Sequence, residues 1–334
     1  MSDGRYVEGS YYFFAPNKGA AIFFTTAFAT SCILHLWQCY HYKFFKVTGL
    51  FVFCNLLFVA GFALRVYGAW HYDNLAPFIA SICLVYASPP LLELANYHIL
   101  GRILYYVPYH SPLHPGRVLS TFAFLSGLIE MLNGWGASYT ANVDLPGASQ
   151  ATGHALMKTS LVLQLVVAGL FLTLAVVFHR RCVTAGLGGA RQIKSPLRTL
   201  YVSVGLITAR TVFRLVEHFG FEGIQWEGLE SADVPAVIRY EWFFYVFEAS
   251  LMLGNTLMWN WRHPRRYLPA KCDVYLARDG VTEVEGPGWK DDRVWLLTVI
   301  DPFDVGGCLR GRQAQDKFWE RDGIEGVRQA KGSV

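Results

Sequence analysis

Within the apolar stretch 200–220, Arg210, Arg214 and Glu217 recur at i, i+4 and i+7, with His218 adjoining. That spacing places them on one face of a helix. The stretch 238–261 repeats the arrangement with Glu241, Tyr245 and Glu248. Glu130 and Asn133, at i and i+3, and a single Arg65 stand in two further apolar blocks. A charge inside hydrocarbon costs several kcal/mol unless it is paired or lines a wet cavity, so each of these residues is a candidate for a function. Three arginines face four glutamates. The near balance predicts a paired network, with Arg65, Arg210 and Arg214 against Glu130, Glu217, Glu241 and Glu248, closing a polar centre beneath the outer membrane surface. Two roles stay open: the pairs only hold helices together, or they wall a cavity that binds a lipid headgroup or relays protons. Packing alone could use cheaper small residues, which favours the second.

Glu93, Asn96, Tyr97, His98 and Arg102 follow Pro89-Pro90, and His35 stands at similar depth in the first block. Proline frees carbonyls that polar neighbours must satisfy. Local repair of a broken helix, with Arg102 reaching for the interface, accounts for this group; an inner gate on a substrate path is the alternative.

Other chemistries find little support. The i, i+4 histidines His110 and His114 sit in a segment broken by Pro112 and Pro115, so no metal site is expected. The last apolar block holds no lysine for a retinal Schiff base, and no glycine loop followed by Lys and Ser/Thr cradles a nucleotide. No cofactor is expected.

The elements that must carry these groups are apolar blocks of membrane-spanning length. The 334 residues are 53% hydrophobic and 16% charged, against about a quarter charged in soluble chains. The blocks run from Gly19 to Gln38, Val47 to Tyr67, Leu75 to about Val107, Val118 to Gly136, Gly153 to Phe178, Leu200 to Gly220 and Ile238 to Trp261. Each is long enough to cross a bilayer at ~1.5 Å per helical residue. The expected fold is all-α: a polytopic seven-helix bundle over 19–261, with an extracellular segment 1–18 and a cytoplasmic tail 262–334. The third block is expected to kink at Pro89-Pro90, with its last turns leaving the hydrocarbon.

Loop charges set the direction. Lys43 and Lys46, Arg102 and Arg117, the run Arg180 to Arg198, and Arg262 to Lys271 follow blocks one, three, five and seven, whereas Asp73, Asp144 and Glu222 to Asp233 occupy the alternate loops. The positive-inside rule puts the amino terminus out and the carboxy terminus in. The net charge of +4 sits at block edges and argues for no nucleic-acid partner. The tail carries turns at Asp279-Gly280 and Gly286-Pro287-Gly288 and a strand-like run from Val294 to Ile300, with too little apolar surface for its own core; it could recruit a cytoplasmic partner.

Seven cysteines without CxxC spacing predict buried thiols rather than disulfides, with Cys182, beside Arg180 and Arg181, a palmitoylation candidate. Trp37, Trp70, Trp135, Trp242, Trp259 and Trp261 are expected at the water boundaries, and Gly49, Gly61, Gly127, Gly134, Gly136, Gly205 and Gly254 at close helix contacts. The first eighteen residues lack the pattern of a removable signal peptide.

Ala95-Asn96-Tyr97 leading to Leu100-Gly101-Arg102-Ile103, then Arg210, Arg214 and Glu217, then Glu241, Tyr245, Glu248 and His263-Pro264, together with Gly61 and Arg65, resemble the fungal lipid-translocating exporter family. That group includes sphingoid-base exporters and sterol-analogue resistance proteins, and the likeness covers roughly residues 10–270. Departures are Glu130 and Asn133 where the family pattern usually shows Asp and Gln, Glu248 for Asp, and Glu93 and His98 for small or apolar residues. The resemblance implies a seven-helix fungal plasma-membrane protein that moves or senses amphipathic lipids or toxicants.

The expected function is binding an amphiphile such as a sphingoid base, sterol analogue or drug and promoting its flip or efflux. Glu130, Glu217, Glu241 and Glu248 would attract a cationic head or exchange a proton, and the arginines would compete as counter-ions. One rival is a membrane-embedded isomerase, cyclase or hydrolase using a carboxylate with His98 or His218. The other is a seven-helix sensor acting through its tail.

Overall fold

Hydrocarbon offers backbone amides no partner but each other, so every apolar block closes into helix. The computed structural model describes residues 10–286 except 13, 15, 72, 142–145 and 222–234, and beyond 286 only residues 294, 296 and 301. Six long helices come first: α1 (Lys18–Tyr42), α2 (Phe45–Gly68), α3 (Leu75–Tyr106), α4 (Pro115–Ala141), α5 (Gly147–Thr184) and α6 (Arg191–Phe221). All six are long and apolar enough to cross a membrane. Short helices α7 (Ala236–Arg239) and α8 (Glu241–Phe244) precede a π-helical turn (Tyr245–Ser250) and α9 (Leu251–Trp261). The junction residues Tyr245 and Leu251 both keep right-handed helical dihedrals, so 241–261 reads as one rod.

The bundle is inside-out relative to a soluble protein. Ser31, Asn55, Ser203 and Asn255 are buried, while Ile33, Phe53, Val202 and Leu257, on the same helices, are exposed. An aqueous surface would reverse that distribution; a lipid surface requires it. The core beneath is aromatic: Phe28 stacks on Phe58 at 4.4 Å, and Phe24 on Tyr245 at 5.3 Å.

Two contacts rest on the absence of a side chain. A Cβ on Gly61 would stand 2.8 Å from Val85, and Ser81 Oγ donates to the Gly61 carbonyl at 2.8 Å, locking α2 to α3. Gly136 and Gly153 pack α4 on α5 so closely that a Cβ on either would lie 2.8 Å from the carbonyl oxygen of the other. Gly127, Gly134, Gly205 and Gly254 have open space where a Cβ would stand, so they are not the close-packing points expected. Small residues join helices only where both backbones arrive together.

Pro89 and Pro90 lie within α3, which nevertheless runs unbroken to Tyr106. Its end does not leave the protein. Arg102 donates to the carbonyls of Pro269 and Lys271 at 2.6 and 2.8 Å, and Tyr106 donates to Glu283 at 2.8 Å. Arg102 thus docks the segment after α9. That segment forms an antiparallel hairpin, β1 (Val274–Leu276) with β2 (Glu283–Glu285), so the chain is mostly rather than wholly helical. The expected Asp279-Gly280 turn closes it: Gly280 adopts φ +74°, and Asp279 accepts from the Val281 and Thr282 amides at 3.0 Å. The Gly286-Pro287-Gly288 turn and the Val294 to Ile300 run fall largely outside the described residues, as do the acidic loops 142–145 and 222–234.

Cys182 is fully buried, which removes it as a palmitoylation candidate; Cys32, Cys39 and Cys54 are buried and Cys83 and Cys272 exposed. Trp259 is also buried, donating to Ser203 Oγ at 3.1 Å, so it anchors the core and not an interface.

Candidate functional site

At the end of the bundle where the amino-terminal segment lies, α2, α3, α6 and α8 part around a cavity of about 680 Å³. Its charged wall is Arg65 from α2, Arg214 and Glu217 from α6 and Glu241 from α8, and Ser10, Tyr11, Tyr12, Tyr86, His218 and Tyr240 complete the polar lining. Phe78, Ile82, Met157, Ile238 and Phe244 make the rest apolar. A charged rim over an apolar pocket suits a molecule with a polar head and an oily body.

Partners on several elements fix these charges. Arg65 Nη2 donates to Glu241 Oε1 at 2.9 Å and its Nε to the Tyr245 hydroxyl at 3.3 Å, while the plane lies 4.3 Å from the Phe244 ring centre. Glu241 Oε2 accepts from the Asn17 amide at 2.8 Å, which ties the amino-terminal segment to the pocket. Arg214 lies on the Tyr86 ring at 3.8 Å, donates to the Tyr86 hydroxyl at 2.6 Å and to His218 Nε2 at 3.2 Å, and pairs with Glu217. The Glu217 side chain is 15% exposed against 4% for Glu241 and none for Glu248, so Glu217 is the most accessible of the three carboxylates.

Beneath the cavity, Arg210 Nε donates to both carboxylate oxygens of Glu248, at 2.8 and 2.9 Å. Glu248 sits in the π-helical turn, a wider coil than the uniform helix behind the i, i+4, i+7 pattern. Glu130 and Asn133 do not line the cavity; they hydrogen-bond each other on α4, within electrostatic reach of Arg210.

The residues after Pro89-Pro90 do not meet as one group. Glu93 accepts from Gln164 of α5 at 2.7 Å, and the Tyr97 hydroxyl bonds Ser126 of α4 at 3.0 Å and Glu93 at 3.4 Å. Asn96 donates to Ser203 at 2.9 Å, which in turn donates to Asn255 at 2.8 Å, knotting α3, α6 and α9. His98 and Arg102 lie at the opposite end, beside the docked segment. His35 bonds the Thr256 carbonyl at 3.1 Å and stacks on Phe51 at 5.0 Å.

Tyr12, Asn17, Tyr86, Gln164 and Ser203 carry much of this polar framework, yet their side chains are uncharged at neutral pH, so none stands out in the sequence as arginine or glutamate does in an apolar block. Tyr86 lay one turn before Pro89-Pro90, the one signal that could have drawn attention to it. Among the described residues no three His, Cys, Asp or Glu side chains gather as a metal site.

These features define a multi-pass helical membrane protein with a charged, lipid-compatible pocket at one end of its bundle. The model of the family described as "RTA1 like protein" matches residues 51–271, and the chain belongs to that family. A "Lipid-translocating exporter-like protein RTA1" of Leptosphaeria maculans is 47% identical over 315 residues, covering 91% of this chain and 60% of the relative. The chain thus spans 60% of the length of that relative. A protein of the same description from Ajellomyces capsulatus is 28% identical over 69% of this chain and 72% of its own. "Protein RTM1" of Saccharomyces cerevisiae is 24% identical over 75% of this chain and 91% of its own. No solved structure matches the chain.

Proposed function

We propose that the protein binds amphipathic lipids or lipid-like toxicants, with a sphingoid base, sterol analogue or drug as the substrate class, and moves them across the membrane. The observation that carries this reading is the cavity where Arg65, Glu241, Arg214 and Glu217 share a wall with Phe78, Ile82 and Phe244. The relatives' printed names support a lipid-related transport role. In this reading a cationic head exchanges with Arg214 at Glu217, while the oily body lies against the apolar wall; Arg65 and Glu241 hold the segment from Asn17 over the entrance. The rod 241–261 serves as a seventh crossing, at ~1.5 Å per residue about the thickness of a hydrocarbon core. The basic turns after α1, α3, α5 and α9 then lie in the cytoplasm and the amino terminus outside, in the plasma membrane.

Purified protein in liposomes loaded with a long-chain amine tests this. Relocation of chemically unchanged amine between leaflets is the expected outcome; a change in its mass instead would assign the site to an embedded enzyme built on Glu217 and His218.

A further inference from the structure

The opposite end of the bundle holds a second cavity, of about 1070 Å³, between the α1–α2 turn, the end of α3, the start of α4 and the docked segment before β1. Its charged lining is Lys43, Lys46, Arg102 and Lys271 against a single acid, Asp273. Phe45, Val47 and Leu119 supply an apolar wall. Among the described residues the excess of positive charge is not answered: Lys271 approaches Glu285 only at 3.9 Å with both side chains more than half exposed, a pair that water screens. Arg102 is 9% exposed, and its Nε finds no partner, whereas Nη2 donates to both docked carbonyls and Nη1 to Cys272 Sγ.

The backbone adds to the same field. α2 begins at this cavity, its capping residue Phe44 offers no side-chain bond, and its first turn carries no acid. A helix amino terminus left in that state favours an anion. Lys43 occupies the left-handed region at φ 49°, the only described non-glycine residue with positive φ, and thereby turns the chain tightly enough to bring Lys43 and Lys46 to one opening.

We propose that this cavity binds the phosphate headgroup of an anionic phospholipid, whose acyl chains follow Phe45 and Leu119 into the bilayer. The assignment is independent of the amphiphile-binding cavity at the other end, which pairs its arginines internally. Lys43, Lys46 and the α2 amides contact the phosphate, and the Arg102 Nε contributes charge from behind. Because Arg102 also docks the segment at Pro269 and Lys271, an occupied site strengthens that docking.

Native mass spectrometry on the full chain tests it, with delipidated protein offered phosphatidylinositol 4-phosphate, phosphatidylcholine of the same acyl chains, or glycerol 3-phosphate. The expected result is retention of the anionic lipid over phosphatidylcholine, reduced roughly twenty-five-fold by Lys43→Gln/Lys46→Gln at about a factor of five per lysine. Lys271→Gln should reduce it by a smaller factor. Lys158→Gln, near the other end, should leave it unchanged, and both Lys43 and Lys46 are exposed, so their loss leaves folding intact. Equal retention of both lipids, or unchanged retention in the double variant, overturns the proposal. Glycerol 3-phosphate binding as tightly as the lipid overturns the lipid assignment and leaves a soluble-phosphate site.

Discussion

Arg210 and Glu248 meet in a two-oxygen ion pair at 2.8 and 2.9 Å, with neither side chain more than 5% exposed. The pair joins α6 to the π-helical turn directly under the charged cavity. The spacing on one helix face sets both Arg210 and Arg214 against the four glutamates, which leaves Glu248 open to either arginine. In the structure Glu217, one turn along the same helix, takes Arg214 instead.

Removing one partner of a buried pair leaves the other charge unsatisfied. Glu248→Gln and Arg210→Gln should each lower stability by about 3–5 kcal/mol. The double variant Arg210→Met/Glu248→Met should lose clearly less than the sum of the two Met singles. Thermal unfolding in nanodiscs reads the cycle, and strict additivity would remove the pairing.

Glu241 receives Arg65 on one oxygen and the Asn17 amide on the other, so it is the clasp between the bundle and the amino-terminal segment. Glu241→Ala should raise hydrogen exchange in a peptide spanning residues 14–20 while exchange in α5 stays as in the parent protein. Unchanged protection near Asn17 would mean that the segment is held by other contacts.

The α4–α5 contact makes a purely steric prediction. Gly136→Val should cost about 1–3 kcal/mol through overpacking against Gly153 and Met157, whereas Gly134→Ala, facing open space, should be neutral. Equal thermal midpoints for the two variants would contradict the close approach.

Beyond the end of α9, burial together with Arg266 and Arg265 lowers the His263 imidazole from its ordinary value near 6.5 to about 4. The folded state thus prefers the neutral ring, whose Nδ1 accepts from the Arg265 amide at 3.3 Å. An unfolded chain takes up this proton first as pH falls. The contribution is therefore full above pH 6.5 and is lost progressively as pH falls from there to about 4. His263→Asn keeps an acceptor for the amide without titrating. Across that window its unfolding midpoint should fall less with acid than that of the parent; identical slopes would exclude His263 as the cause.

The helices were legible because a block that must cross hydrocarbon has a required length and composition; five of the six long helices contain the apolar block read from the sequence, and α3 matches its block to within one residue. The charged cluster was legible for a related reason: arginine and glutamate are costly enough in such blocks to stand out. Partner choice was not. Glu248 pairs with Arg210 because a π-helical turn sets its position, and no residue pattern announces that turn. Tyr86 and Ser203 escaped notice because neutral polar groups cost little and give no warning. The partners of Arg102 gave no signal either, because they are backbone carbonyls 167 and 169 positions further along the chain.

The central claim is that the cavity between α2, α3, α6 and α8 receives a charged amphiphile at Glu217. Equilibrium binding of a long-chain amine to the protein in phosphatidylcholine nanodiscs tests it most directly, comparing the parent with Glu217→Gln and with Ile82→Trp, which narrows the pocket. Saturable binding is expected, weakened by each substitution by about tenfold or more, as loss of a charge-assisted contact worth roughly 1.5–3 kcal/mol requires for Glu217. Affinity unchanged in both variants would contradict it.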